Sequence, residues 1–281
     1  MPNAYKDVAI GASFVIGLLA NGTLVTWGAN KQGQTDIPKA LANIAFQSVS
    51  AGNTFAVALT KSGKVYAWGG TTYDQIAVPV EARSKVTDIA AGFGHTLALR
   101  SDGKVIAWGK NDYQQSTVPK NLNDVIAISA GSNYSLALKR DGTIVVWGAS
   151  SMRSESVKAI RSARAISAGY NHALALLADG SVVAWGSNDY GQASVPASRY
   201  VVRAISAGLN YSIIVTEDNK IFSFGTNNWG QRNIPDTLSN VLSATAGYAN
   251  TVVTLRDGKV LTYGSKEFNA LVTRTPTPAG R

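Results

Sequence analysis

Few side chains in this 281-residue sequence have the type and spacing for chemistry. It has two histidines, His95 and His172, and no cysteine, which excludes disulfides, thiolate nucleophiles and cysteine–zinc sites. With so few nitrogen and sulfur ligands a transition-metal centre is not expected. Asp112 and Asp189 each precede a tyrosine in a polar loop. Paired carboxylates across a cleft would suit glycoside hydrolysis, but these two belong to well-separated segments. The sequence contains no HExxH, no GxSxG, no phosphate loop and no dinucleotide fingerprint. It therefore predicts a protein that is not an enzyme and needs no cofactor. What the loops do offer is rings. Tyr73, Tyr113, Tyr190, Trp229 and Phe268 stand among Asn, Asp, Gly, Thr and Gln. Rigid aromatics in such loops anchor protein interfaces.

The elements that must position these rings follow from repetition. Trp27-Gly28, Trp68-Gly69, Trp108-Gly109, Trp147-Gly148 and Trp185-Gly186 are continued by Phe224-Gly225 and Tyr263-Gly264. Another glycine stands 17 residues before each of these, from Gly11 to Gly247, and successive units are spaced by 38 to 41 residues. Between the two glycines lies a turn pair such as Asp102-Gly103, a two-residue hairpin signal. Such a period marks stacked supersecondary units. The strand segments are apolar almost throughout, which suits sheets covered on both faces, and glycines and β-branched residues oppose helix. Counting a short closing strand such as Ser116–Pro119, the sequence predicts an all-β, seven-bladed β-propeller of four-stranded antiparallel blades. The units start near residues 6, 47, 86, 125, 164, 202 and 241, and a single domain is expected over 1–272. Residues 273–281, rich in Thr and Pro, read as an extended linker stub, plausible for a domain attached to something larger. Residues 8–20 after Lys6 imitate a secretory signal, but the repeat claims them as strand.

The repeated rings Trp27, Trp68, Trp108, Trp147, Trp185, Phe224 and Tyr263 are expected to pack between blades. His95 and His172 share a repeat position with Phe14, Phe55, Tyr134 and Tyr211, so a structural role is expected for them too.

The phrase AG-x-x-H-x-LAL-x-x-DG-x-V-x-AWG-x-N-x-x-GQ-x-x-VP resembles the repeats of the regulator of chromosome condensation superfamily. The short period, with Val78–Gly92 and Asp102–Gly109, looks closest to the bacterial propeller-type β-lactamase inhibitors. That resemblance implies loops that hold a protein partner through aromatic and acidic residues of one face.

Antiparallel alternation puts the loop after each first strand and the loop after each third strand on one rim. The partner-binding face is accordingly expected to comprise Tyr73, Asp74, Phe93, Asp112, Tyr113, Tyr170, Asp189, Tyr190, Trp229, Tyr248 and Phe268. The opposite rim, with Lys61, Lys64, Arg100, Lys104, Lys139 and Arg140, is basic, and the chain carries a formal charge of +9. A solvated surface is the expected reading of that excess, and nucleic acid is not the expected partner. The expected function is protein binding by a monomer, with inhibition of a serine β-lactamase or a penicillin-binding protein implied by the resemblance alone. The alternatives are a carbohydrate- or cell-wall-binding module and a guanine nucleotide exchange factor-like regulator. No membrane span is expected, and a secreted or cell-surface setting is favoured.

Overall fold

The computed structural model describes residues 4–197, 200–266 and 277–278. Blade 1 is β1 (Tyr5–Ile10), β2 (Phe14–Leu19) and β3 (Leu24–Gly28). Blade 2 is β4 (Phe46–Ala51), β5 (Phe55–Thr60) and β6 (Val65–Gly69), and blade 3 is β7 (Val86–Ala91), β8 (His95–Arg100) and β9 (Val105–Gly109). Blade 4 is β10 (Val125–Ala130), β11 (Tyr134–Lys139) and β12 (Ile144–Gly148). Blade 5 is β13 (Ala163–Ala168), β14 (His172–Leu177) and β15 (Val182–Gly186). Blade 6 is β16 (Val202–Ala207), β17 (Tyr211–Thr216) and β18 (Ile221–Gly225), and blade 7 is β19 (Val241–Ala246), β20 (Asn250–Leu255) and β21 (Val260–Gly264). Within each blade the three strands pair antiparallel in chain order, giving seven sheets consistent with a seven-bladed propeller.

The blades therefore have three strands, not the four expected from sequence. The segment read as a fourth strand runs alongside but forms no ladder. In three blades its backbone turns back on itself, with Ile37 N donating to Thr35 O, Val78 N to Ile76 O and Val195 N to Ala193 O. A proline follows each of these residues and cannot donate to a ladder. Among the described residues blade 1 alone gains a further pairing, from β22 (Thr277–Pro278), whose Thr277 lies opposite Thr26 and Pro278 opposite Val25. This piece belongs to the stretch expected to be a linker stub. It joins the end of the chain to the first blade.

Cores lie between blades. The middle strands are buried almost completely, as their uninterrupted apolar sequence requires. Trp108 packs from blade 3 against Phe55, Val57 and Leu59 of blade 2. Trp68, Trp147, Trp185 and Phe224 bridge other pairs of blades in the same way, and Trp27 is buried while Tyr263 is half-buried. The indole Nε1 of Trp68 donates to Gln34 O (3.2 Å), that of Trp108 to Gln75 O (2.9 Å) and that of Trp147 to Gln115 O (2.9 Å). Each acceptor sits in the loop of the preceding blade.

Blade 4 breaks this series. Its loop has no such glutamine; a short 3-10 turn (Ser150–Met152) and one helical turn (Glu155–Lys158) replace the extended pass, and Met152 is buried against Trp185. Trp185 Nε1 consequently has no hydrogen-bond partner among the described residues. Trp108→Phe and Trp185→Phe lose similar ring volume, so comparing them isolates the hydrogen bond. Trp108→Phe is expected to cost about 1 kcal/mol more than Trp185→Phe, because only the former removes a satisfied donor. Denaturant unfolding of the two variants measures the difference. Equal costs would mean that the bond to Gln75 contributes nothing.

Candidate functional site

The loops after first and third strands share one rim, tied together by backbone bonds. Gly70 N donates to Thr54 O, Lys110 N to Gly94 O, Ser187 N to Asn171 O and Thr226 N to Asn210 O, all at 2.7–2.9 Å. The close approach depends on glycine. Gly109 has φ +94°, and a Cβ there would lie 2.7 Å from Gly94 O.

The third-strand loops are built around a buried glutamine. The side chains of Gln75, Gln115, Gln192 and Gln231 are buried, and each Oε1 accepts the backbone N–H two residues earlier. Those N–H groups belong to Tyr73, Tyr113, Tyr190 and Trp229, at 2.8–3.0 Å. An asparagine closes the other side: Asn111 Oδ1 accepts from Ser116 N, Asn188 Oδ1 from Ala193 N and Asn227 Oδ1 from Arg232 N. With their backbone fixed inside, the rings point out. Tyr73, Tyr113, Tyr190 and Trp229 are 38%, 53%, 56% and 61% exposed. Interactions that hold a ring before a partner arrives reduce the entropy lost on binding.

The first-strand loops behave differently. Phe93 and Tyr170 meet edge-to-face at 6.0 Å between centroids, and Tyr170 and Tyr248 meet at 6.3 Å. These rings and Leu209 border the central channel, a 230 Å³ space walled by the small residues of the first strands. Burial, and secondarily the neighbouring Tyr170, push the Tyr248 hydroxyl well above the usual tyrosine range. Ten of the eleven residues expected to form one face are thus arranged as a half-buried central cluster and an outer arc, and the eleventh, Phe268, lies outside the described residues.

The three acids differ in their ties. Asp112 is 3.6 Å from Lys110, Asp189 accepts from Ser187 Oγ at 2.9 Å, and Asp74 makes no ion pair among the described residues. Lys110 is heavily engaged, lying over the rings of Tyr73 and Phe93 and donating to Asn133 Oδ1 at 3.3 Å. Arg232 and Arg153 bond backbone carbonyls instead of facing solvent freely.

His95 and His172 are fully buried, each with Nε2 on a serine of the next blade: Ser135 Oγ at 2.9 Å and Ser212 Oγ at 2.8 Å. Both hydroxyls donate onward to glutamine carbonyls, Gln115 O and Gln192 O. Nε2 must then carry the proton, and Nδ1 is left without a partner among the described residues. Burial lowers His95 to about 3, with a further push from Lys110, and lowers His172 to about 4. These serine–histidine pairs are inter-blade ties closed to any substrate. No group of three or more His, Asp or Glu among the described residues could hold a metal ion.

Sequence reasoning left the glutamines unassigned, although their recurrence after Trp68, Trp108, Trp185 and Phe224 was a readable signal. Met152 stands at the same repeat position as the exposed rings, five residues after Trp147, and the structure buries it.

Comparison with known proteins places this architecture. No helix among the described residues is long and apolar enough to cross a membrane. No curated protein matches the sequence. The chain is similar in fold to the entire ectodomain of the Physcomitrella patens receptor kinase CR4, with TM-score 0.78 and 21% identity over 93% of this chain and 73% of that one. The ectodomain of the Arabidopsis thaliana receptor kinase ACR4 gives TM-score 0.75 and 21% identity over 94% and 98%. Prp20p from Saccharomyces cerevisiae gives TM-score 0.70 and 20% identity over 94% and 83%. The Regulator of chromosome condensation (RCC1) repeat itself matches residues 5–34, 46–75, 86–115, 125–152, 163–192 and 202–231. Six matched repeats over more than half its length make this chain a member of that repeat family.

Proposed function

We propose that the chain is a non-enzymatic, protein-binding propeller and that the aromatic rim is its recognition surface. One observation carries the reading. Tyr73, Tyr113, Tyr190 and Trp229 are exposed at one repeat position on one rim, each with its backbone fixed by a buried glutamine. Tyr113, Tyr190 and Trp229 leave more than half of their surface outside the fold's own packing, and such rings dominate the energetics of interfaces. The adjoining Asp74, Asp112 and Asp189 supply a polar surround and favour a partner with basic groups. Prp20p, whose structure was reported with its binding properties to Gsp1p and histones, offers a precedent for protein binding on this fold.

Inhibition of a serine β-lactamase or a related penicillin-binding enzyme is the specific form of this proposal, and exchange activity on a small GTPase its loosest. Nitrocefin hydrolysis by class A enzymes tests the first, and nucleotide release from a GTPase the second. The general reading is tested by affinity capture from cell extract followed by titration of the captured partner. Trp229→Ala is expected to weaken that complex by about 2 kcal/mol or more, roughly thirtyfold, while leaving the melting curve unchanged. Unaltered affinity in Trp229→Ala and Tyr113→Ala would remove the rim from consideration. Binding on a glycan array, lost in the same variants, would instead favour a carbohydrate ligand.

A further inference from the structure

The missing fourth strand leaves the third strand of a blade as an outer edge, and the blades treat that edge differently. The hydrogen bond from Thr60 N to Lys64 O sets the alternation, so Tyr66 and Trp68 bond inward and the N–H and C=O groups of Val65 and Ala67 point outward. In blade 1 the equivalent of Ala67 is Thr26, which lies opposite Thr277 of β22. In blade 6 Arg232 caps the carbonyls of Ser223 (3.1 Å) and Gly225 (2.5 Å), and in blade 4 Arg153 caps Gly148 O (2.9 Å). Blade 2 has the apolar Ile76 at the position of Arg232, and no side chain caps Ala67 among the described residues. Beside its edge lies a 410 Å³ groove bounded by Lys64, Val65, Tyr66, Ala67, Val78 and Arg83.

Charge is what sets this edge apart. The hairpin turns of blades 3 to 7 each contain an aspartate, and Asp102, Asp141, Asp218 and Asp257 pair with Arg100, Lys139, Lys220 and Lys259 at 3.3–3.9 Å. The turn of blade 2 is Lys61-Ser62-Gly63-Lys64, with no acid. Lys61, Lys64, Arg83 and Lys85 are exposed and make no ion pair among the described residues, and Glu81 is the single acid between Gln75 and Lys85. Arg83 is steadied at the groove by Nε and Nη2 donating to Val78 O, both at 3.3 Å.

We propose that the outer edge of blade 2 receives an extended acidic segment of a partner protein as its fourth strand. Outward N–H and C=O groups match a peptide backbone and not a nucleic acid, and the unpaired cations at the groove select carboxylates. The chain already shows one such pairing on itself, where β22 lies on β3. The proposal is independent of the aromatic rim.

A short fluorescein-labelled peptide of alternating glutamate and valine is the probe, read by anisotropy with the full chain. Saturable binding is expected, weakened roughly tenfold or more in Lys64→Glu/Arg83→Glu. The same peptide N-methylated on alternate residues should lose binding to the unaltered protein, because methylation removes the strand-pairing donors. Lys64→Glu/Arg83→Glu should keep its melting curve and its capture of the rim partner. Equal binding of the methylated peptide, equal binding of a lysine–valine peptide, or no binding of the glutamate–valine peptide would each overturn the proposal.

Discussion

Trp108→Ala is expected to lower the free energy of unfolding by about 3–5 kcal/mol, the range for truncating a fully packed tryptophan. The ring fills the space between blades 2 and 3, against Phe55, Val57 and Leu59, and its Nε1 holds Gln75 O. Blades are rigid sheets that cannot collapse into the gap, so the cavity contribution should be large. A second effect follows from the hydrogen bond. Gln75 also fixes the N–H of Tyr73, so the loop of blade 2 should loosen although the substitution is in blade 3. Chemical denaturation measures the first effect and amide exchange at Tyr73 the second. Trp229→Ala, on an exposed ring, should change stability by no more than about 0.5 kcal/mol. A Trp108→Ala cost below about 1 kcal/mol would mean that the inter-blade space does not need its ring.

Acid should unfold this protein through two histidines. His95 and His172 are held at about 3 and about 4, so between those values and the ordinary 6.5 the unfolded chain binds protons that the folded chain refuses. Their contribution to stability is complete above pH 6.5 and falls as the pH drops. Each loses about 1.4 kcal/mol per pH unit, so the pair loses roughly 5 kcal/mol by pH 4.5. Asp88 acts in the opposite direction. Burial raises its carboxyl to about 6, so the folded state takes up a proton first and regains about 2 kcal/mol by the same pH. The histidines win. His95→Phe/His172→Tyr borrows the rings that other blades carry at this position, Phe14, Phe55, Tyr134 and Tyr211, and should flatten the acid limb of stability against pH. Urea midpoints from pH 7.5 to 4.5 supply the comparison. An acid limb as steep in the double variant would acquit the histidines.

The ring of blades was legible because its signals are local and periodic. The spacing of Gly92, Asp102-Gly103 and Trp108-Gly109 encodes strand, hairpin and strand without reference to distant residues. The fourth strand was misjudged because apolar residues before a proline, as in Val118-Pro119, suit both an edge ladder and a packed extended pass. Only the hydrogen bonds of the folded chain separate these. The rim was half legible. Alternation sets Phe93 and Tyr113 on one side, but not that the shorter first-strand loops turn their rings toward the channel while the longer ones project. Met152 shows the same limit: losing the glutamine removed the scaffold that keeps a side chain at that position outward, which no single-residue property reveals.

Because the indoles of Trp68, Trp108 and Trp147 each reach back to the loop of the blade before them, mechanical dependence runs around the circle in a single sense, from Trp147 to the turn bearing Tyr113 and from Trp108 to the turn bearing Tyr73. The relay has gaps where Trp27 and Trp185 find no acceptor among the described residues. Sequence spliced at the exposed Glu155-Ser156 would therefore break no indole's latch and would leave Met152, Val157 and Ile160 to pack, which makes that point the natural port for grafting foreign loops.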